Sequence, residues 1–273
     1  MRHIPRKRFG QNFLIDPYII AEIIRVIQPH SQDRLIEIGP GLGALTGPLL
    51  DILDTLQVIE IDRDIVDHLK STYAGKNLII HNCDALKFDF AELGNDLRIV
   101  GNLPYNISTP LLFHLARFCR HIRDMHFMLQ QEVVARMVAE PSTPDYGRLS
   151  LMLQNRFEMG QLISVPPESF RPAPKVQSAV VWMRPRAAPI IPVECERLFA
   201  DLITAAFSQR RKTLRNTLRG YLTTSDFERL TIDAGLRAEN LTLEQFAAIT
   251  HYLSNHESHG HDNCVSADGP IRP

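Results

Sequence analysis

The chain has 273 residues, of which 44% are hydrophobic and 22% charged, and these proportions are typical of a globular protein and exclude wholesale disorder. The length favours a large domain with a smaller partner. The formal net charge of −1 hides basic clusters at residues 6–8, around Arg171 and Lys175, and at residues 209–219, so a nucleic-acid partner is not excluded.

The first predicted element is a helix. After an Asp-Pro start, isoleucines recur at helical spacing between residues 17 and 27, which predicts an amphipathic helix. The stretch NFLIDPYIIAEIIRVI is interrupted by Asp16, Pro17, Glu22 and Arg25, which excludes a signal sequence or a membrane span. We therefore expect a cytoplasmic protein that does not interact with membranes.

Strand-like runs then alternate with helical patterns. The runs are RLIEIG, LQVIEID, NLIIHNCDA, LRIVGNLPY and MHFMLQ. This alternation predicts βαβ units and a parallel sheet. Two later runs, QLISVPPESF and VQSAVVWMRP, are expected to pair antiparallel at the sheet edge.

The C-terminal part is predicted to be helical, with a capping box from Thr242 to Gln245. We place the domain boundary within residues 184–192, which gives a sheet domain at 1–188 and a helical domain at 189–255. The polar tail at 256–273 is expected to be disordered.

Metal binding and disulfides are not expected from this sequence. The tail contains potential metal ligands but no fold to hold them: His256, His259, His261 and Cys264. The four cysteines are dispersed and form no CxxC pair, which argues against a zinc site and fits a reducing compartment.

A glycine-rich turn, LIEIGPGLGALT, follows the first strand of the predicted sheet. Gly39 and Gly41 allow a tight turn and close approach of a ligand, and the helix that follows favours a negative group. Gly39, Gly41 and Ala44 also fit the dinucleotide spacing GxGxxG/A. The turn alone is therefore compatible with a nicotinamide dinucleotide, with S-adenosylmethionine, or with glycines that serve only the turn.

Polar residues follow the next strands. Glu60 lies about twenty residues beyond the first glycine, where a carboxylate can accept both hydroxyls of a ribose. Asp84 can accept a hydrogen bond from an adenine amine, although an aspartate after a strand also suits a plain turn. Since Gly39, Glu60, Asp84 and Asn102 each follow a different predicted strand, they should share one rim. One adenosine-containing ligand could contact all of them, which favours a methyl donor.

The stretch GNLPYNISTP predicts chemistry on an exocyclic adenine amine. The Asn102 side-chain oxygen and the Leu103 carbonyl can accept its two N–H bonds and aim its lone pair at an electrophile. Pro104 keeps that carbonyl out of a helix, and Tyr105 can stack on the base. Phe170 is the candidate for the opposite face of the base. The alternative is a buried Asn-Pro turn with a core tyrosine.

The chain closely resembles the ribosomal RNA adenine N6,N6-dimethyltransferase family, and within it the bacterial enzymes of the small ribosomal subunit. The matching stretches are RKRFGQNFL, EIGPGLGALT, VIEIDRD, GNLPYNISTPLLFHL, MHFMLQQEVVARM, YGRLS, FRPAPKVQSAVV and FSQRRKTLRNTL. The resemblance implies an α/β fold. This is a Rossmann-like class I S-adenosylmethionine-dependent methyltransferase sheet, mostly parallel with one antiparallel edge strand, plus a small all-α C-terminal domain.

The resemblance also implies dimethylation of two adjacent adenosines in the hairpin loop near the 3′ end of 16S rRNA, during maturation of the small subunit. We expect a monomer when the protein is free. The residues implied to bind S-adenosylmethionine, without a metal, are Asn12, Leu14, Gly39, Glu60, Asp84 and Asn102. The residues expected to contact RNA are Arg6, Lys7, Arg8, Arg171, Lys175, Arg210, Arg211, Lys212 and Arg215.

Three other functions are compatible with parts of the pattern. One is a related enzyme acting on large-subunit rRNA or DNA, which methylation assays on each substrate would identify. Another is a ribosome-assembly or transcription-type binding protein with a vestigial site, which would fail to bind S-adenosylmethionine. The third is a nicotinamide dehydrogenase, which an absorbance assay would detect.

Overall fold

The structure, a computed structural model, describes residues 12–260, without the side chains of 257–260. The predicted RNA contacts Arg6, Lys7 and Arg8 lie outside the described residues. The chain divides into two compact units. Of the described residues, the first unit comprises 12–138 together with Arg156–Ala187, and the second comprises Ala139–Asn155 together with 188–260.

Seven strands of the described residues form one sheet in the first unit. In their order across the sheet they are β4 (Leu78–His81), β3 (Leu56–Ile59), β2 (Arg34–Ile38), β5 (Leu97–Asn102), β6 (Ile122–Gln130), β9 (Ser178–Pro185) and β7 (Phe157–Val165). The first five strands in this order, from β4 across to β6, are mutually parallel. Strand β9 is antiparallel to both of its neighbours, β6 and β7.

The predicted fold class is therefore confirmed, as a mostly parallel Rossmann-like sheet with antiparallel pairing at one edge. The antiparallel strand β9 lies one position inside that edge, and β7 is the outermost strand. The helices of this unit are α1 (Pro17–Ile27), α2 (Thr46–Leu50), α3 (Arg63–Thr72), α4 (Ser108–Leu115) and α5 (Gln131–Val138).

Helix α1 forms where the isoleucine spacing predicts it. The Asp16 carboxylate accepts hydrogen bonds from the backbone N–H groups of Tyr18 and Ile19. These two donors lie in the first helical turn, where N–H groups have no acceptor within the helix. The isoleucines that repeat every four residues are buried against the sheet, as the amphipathic pattern requires: Ile19, Ile23 and Ile27.

A second, two-stranded sheet joins two distant parts of the first unit. Strand β1 (Phe13–Leu14) pairs antiparallel with β8 (Phe170–Arg171). Next to this pair, the Ser169 hydroxyl donates to the Asp16 carboxylate at 2.9 Å. These contacts fix the segment that precedes α1 against the segment that follows β7.

The second unit is helical around its own apolar core. Its helices are α6 (Arg148–Gln154), α7 (Glu196–Ala206), α8 (Leu214–Thr217), α9 (Thr224–Arg229) and α10 (Leu243–Gly260). The predicted capping box is present, since the Thr242 hydroxyl accepts from the Gln245 N–H and the Gln245 side chain accepts from the Thr242 N–H. Among the described residues, no helix is both long and apolar enough to cross a membrane.

The unit limits differ from the predicted domains in two respects. Residues 139–155, which we assigned to the sheet domain at 1–188, belong to the second unit. There the buried Tyr146 hydroxyl donates to the Leu241 carbonyl at 3.0 Å. Helix α10 also continues to Gly260, past residue 256, where the disordered tail was predicted to begin.

Candidate functional site

A cavity of about 350 Å³ lies in the first unit, where strands β2, β3, β4 and β5 end. Parallel strands present their carboxyl ends at one edge, so the residues that follow each strand meet there. The structure brings most of the predicted cofactor-binding and catalytic residues into this wall: Asn12, Leu14, Gly39, Glu60, Asp84, Asn102, Leu103, Pro104 and Tyr105.

The glycine-rich turn forms one side of the cavity. Gly39 and Gly41 have φ angles of 68° and 54°, in the left-handed region that favours glycine. A Cβ atom on Gly41 would lie 3.1 Å from the Phe13 ring. The turn and strand β1 are therefore packed as closely as a glycine permits, and a larger residue at position 41 would push Phe13 away.

Two carboxylates follow the neighbouring strands. Glu60 is only 7% exposed, and burial raises its pKa, although N–H groups of Asp62, Ile61 and Gly41 stabilise its charged form. One Asp84 oxygen accepts the Leu86 N–H at 3.0 Å. The other oxygen has no hydrogen bond to any described residue, so it remains an available acceptor.

Asn102 ends β5 with its side chain oriented by a hydrogen bond. Its amide nitrogen donates to the Asn12 carbonyl at 3.1 Å. Because a carbonyl can only accept, this contact fixes which end of the amide is the nitrogen. The amide oxygen is therefore the free end and can act as an acceptor, and Asn102 lines the cavity.

The three residues after Asn102 are held by separate contacts. The Leu103 N–H donates to the Met128 carbonyl at 3.1 Å, and the Pro104 carbonyl accepts from the Ile107 N–H at 3.1 Å. The Tyr105 hydroxyl shares a hydrogen bond of 2.8 Å with the Ser178 hydroxyl, and burial raises the tyrosine pKa. The segment thus has a defined path with the Tyr105 ring at the cavity wall.

Sequence reasoning missed Glu37 and Phe13, which also line the cavity. Glu37 is 2% exposed and accepts from the Thr46 hydroxyl at 2.6 Å. Burial raises the pKa of Glu37 to about 7, the Thr46 bond opposes this, and Glu60 adds to it. The signal was present in the sequence, since an acidic residue inside the apolar run LIEIG is unexpected in a buried strand.

The structure does not place Phe170 in the cavity wall. Its side chain is 3% exposed and belongs to the apolar core cluster that also contains Leu14. The prediction that its ring closes the second face of a base is therefore not supported. Phe170 pairs with Leu14 between strands β8 and β1 and packs in this cluster.

The basic residues predicted to contact RNA are exposed wherever the structure describes them. Arg210 is partly engaged, since it donates to the Pro144 carbonyl at 3.0 Å and lies 3.5 Å from a Glu239 oxygen. The side chains of the others have no hydrogen bond or ion pair to a described residue. Two of these exposed residues, Arg171 and Lys175, lie in the first unit. The other three lie in the second unit: Arg211, Lys212 and Arg215.

The described part of the chain contains no group of three histidine, cysteine, aspartate or glutamate side chains placed to hold a metal ion. Of the tail residues considered as metal ligands, the structure describes the side chain of His256, whose ring lies 4.3 Å from that of Tyr252. His261 and Cys264 lie outside the described residues, as does the side chain of His259.

Comparison with known proteins relates most of the chain to one family. Residues 2–255 match the family model described as ribosomal RNA adenine dimethylase. Ribosomal RNA small subunit methyltransferase A of Nitrosomonas europaea is 74% identical over 249 residues, which cover 91% of this chain and 96% of the relative. The protein of the same name from Nitrosospira multiformis is 63% identical over 254 residues, with 93% and 98% covered.

Solved structures show the same similarity at lower identity. A dimethyladenosine transferase from Plasmodium falciparum superposes with a TM-score of 0.75 at 26% identity, covering 91% of this chain and 98% of that one. The 23S rRNA methyltransferase ErmE superposes with a TM-score of 0.70 at 25% identity, covering 89% and 100%.

Proposed function

This chain belongs to the ribosomal RNA adenine dimethylase family and is a methyltransferase, and we propose the following substrate and site. The enzyme dimethylates the N6 amines of two adjacent adenosines in the hairpin loop near the 3′ end of 16S rRNA, in the small ribosomal subunit. Its methyl donor is S-adenosylmethionine, and it acts in the cytoplasm as the subunit matures.

The cavity fits the proposed donor in size and in chemistry. Its volume of about 350 Å³ lies within the usual range for small-ligand sites. Glu60 would accept the ribose hydroxyls, and the free oxygen of Asp84 would accept the amine of the donor's adenine. Leu42 and Ile61 give the wall an apolar surface suited to a purine ring. Gly39, Asn12 and Leu14 would complete the binding site.

The methyl acceptor would lie against the segment from Asn102 to Tyr105. S-adenosylmethionine, when bound, supplies a methyl group activated by a positively charged sulfur. The amide oxygen of Asn102 and the carbonyl of Leu103 would accept the two N–H bonds of the target amine, which leaves its lone pair directed away from them. The same two oxygens stabilise the positive charge that develops on the amine.

Tyr105 would hold the target base by stacking on it, a contact worth roughly 1–3 kcal/mol per base. The base must leave the helical stack before it can reach the cavity. The phenol does not act as a base in this scheme, since burial raises the Tyr105 pKa and so keeps the hydroxyl protonated.

The exposed basic residues outside the cavity would hold the RNA backbone. Arg211, Lys212 and Arg215 present exposed charges on the second unit, and Arg171 and Lys175 do so on the first. Contacts of this kind add affinity without reading sequence and weaken as salt rises. We therefore propose that the helical unit formed by residues 189–255, with 139–155, binds rRNA, and that the free protein is a monomer.

The observation that carries the proposal is the meeting of Glu60, Asp84, Asn102 and Tyr105 in one cavity. The test incubates the protein with methyl-labelled S-adenosylmethionine and undermethylated small subunits, and maps the modified nucleotides. We expect label on two adjacent adenosines of 16S rRNA. Fully methylated small subunits are the negative control.

The same experiment is repeated with large ribosomal subunits. It tests the alternative that the substrate is 23S rRNA, which the similarity to a 23S rRNA methyltransferase suggests. Label on 23S rRNA alone would contradict the proposed substrate while leaving the methyltransferase chemistry intact. Absence of S-adenosylmethionine binding by calorimetry would contradict the proposed donor.

A further inference from the structure

The aromatic ring proposed to stack on the target base is tied to a different part of the sheet. The Tyr105 hydroxyl and the Ser178 hydroxyl lie 2.8 Å apart. Tyr105 follows β5, whereas Ser178 opens β9. The hydrogen bond therefore joins the segment proposed to hold the target base to the antiparallel strand β9. It is made by the hydroxyl at the end of the tyrosine side chain.

Ser178 is a rigid anchor for this contact. It is fully buried, and its backbone pairs with Gln130 on one side and with Val165 on the other. A residue held between two strands cannot follow the ring if the ring moves. By contrast, the ring of Tyr105 is only partly buried and faces the cavity.

The backbone of Tyr105 is held separately. Its carbonyl accepts from the buried Ser108 hydroxyl at 3.1 Å. That bond fixes the main chain but leaves the side-chain torsions free. The contact with Ser178 restrains those torsions, because the phenol oxygen can reach Ser178 only from a narrow range of ring orientations.

We propose that Ser178 is a positioning residue, which holds the Tyr105 ring in the plane required to stack on the target adenine. The inference rests on the proposed function. Without this hydrogen bond the ring samples orientations that block or miss the base, so fewer complexes reach a reactive geometry. Donor binding is unaffected, since Ser178 is not part of the cavity wall.

A double-mutant cycle tests this role. The variants are Tyr105→Phe, Ser178→Ala and the double variant, assayed by single-turnover methyl transfer to undermethylated small subunits. Each single variant should slow the step about 3- to 10-fold, the range expected for one lost neutral hydrogen bond. The double variant should be no slower than either single variant, because all three lack the same contact.

The controls separate positioning from stability. Calorimetric affinity for S-adenosylmethionine and the midpoint of thermal unfolding are measured for every variant, and donor affinity should stay within about twofold of the wild type. Tyr146→Phe removes a buried hydroxyl that bonds the Leu241 carbonyl in the second unit. This matched variant should keep the wild-type rate.

Two results would overturn the inference while the wild type remains active. One is a wild-type rate in Tyr105→Phe, which stays informative even if Ser178→Ala does not fold. The other is additive losses in the double variant, which would assign Ser178 a separate structural role. An inactive wild-type protein would contradict the proposed function instead.

Discussion

Replacement of Asn102 by alanine removes the one side-chain acceptor proposed to hold the target amine. Two interactions disappear together, namely the amide oxygen at the cavity wall and the hydrogen bond of 3.1 Å to the Asn12 carbonyl. Loss of one preorganised polar group at a reacting centre typically lowers kcat about 10²- to 10³-fold. Loss of the neutral bond to Asn12 costs about 1 kcal/mol, which weakens donor binding about fivefold.

The assay measures single-turnover methyl transfer to undermethylated small subunits, with donor affinity by calorimetry and subunit binding by co-sedimentation. We expect a large loss of rate, a small loss of donor affinity and nearly unchanged subunit binding. Asn77→Ala is the matched control, since the Asn77 amide also donates to a backbone carbonyl, that of Asp54, at 3.0 Å but lies outside the cavity. A near-normal rate for Asn102→Ala would refute the amine-positioning role.

Other variants probe the donor side, the buried acid and the RNA contacts. Gly41→Ala places a side chain at a φ of 54° and 3.1 Å from the Phe13 ring, and we expect calorimetry to show donor affinity reduced about 5- to 10-fold. Burial raises the pKa of Glu37 to about 7, so the folded protein binds more protons than the unfolded chain between about pH 4.5 and 7. As the pH rises through that range, the free energy of unfolding of the donor-free protein should therefore fall by roughly 1–3 kcal/mol. In Glu37→Gln, thermal unfolding measured across the same pH range should show a smaller decrease. Replacement of Arg211 and Arg215 by glutamine should weaken subunit binding and reduce its salt dependence, as measured by co-sedimentation at several salt concentrations.

Each of these expectations has a result that contradicts it. Unchanged donor affinity in Gly41→Ala would show that the turn tolerates a side chain. Equal pH dependence in Glu37→Gln and the wild type would assign the titration to another group. If the double arginine variant lost donor affinity as well, the change would reflect a folding defect in place of lost RNA contacts.

Residues at strand ends were predictable from the sequence because their placement follows from topology. Once the alternating pattern indicates a parallel sheet, Gly39, Glu60, Asp84 and Asn102 must lie near one edge. The structure places all four in one cavity wall. No knowledge of side-chain packing was needed to bring them together.

Contacts between distant, irregular segments were not predictable in the same way. Strand β1 has two residues and pairs with an equally short partner, and so short a run has no periodicity to detect. For this reason Phe13 was missed at the cavity, and Phe170 was expected at the cavity although the structure places it outside the wall. Ser178 was missed for a related reason, because a serine at a strand start gives no sign of its hydrogen-bond partner.

The second unit is built from two separate stretches of sequence, and this affects how the protein folds during synthesis. Its segment 139–155 is synthesised before strands β7 and β9, yet the Tyr146 hydroxyl bonds the carbonyl of Leu241, which lies 95 residues later in the sequence. During vectorial translation, this segment emerges with its apolar side chains uncovered until α7 and the later helices, which complete its core cluster, have been synthesised. A truncation after residue 188 would make that exposure permanent. Such a fragment should aggregate, and a soluble version of the isolated helical unit would need residues 139–155 grafted onto it.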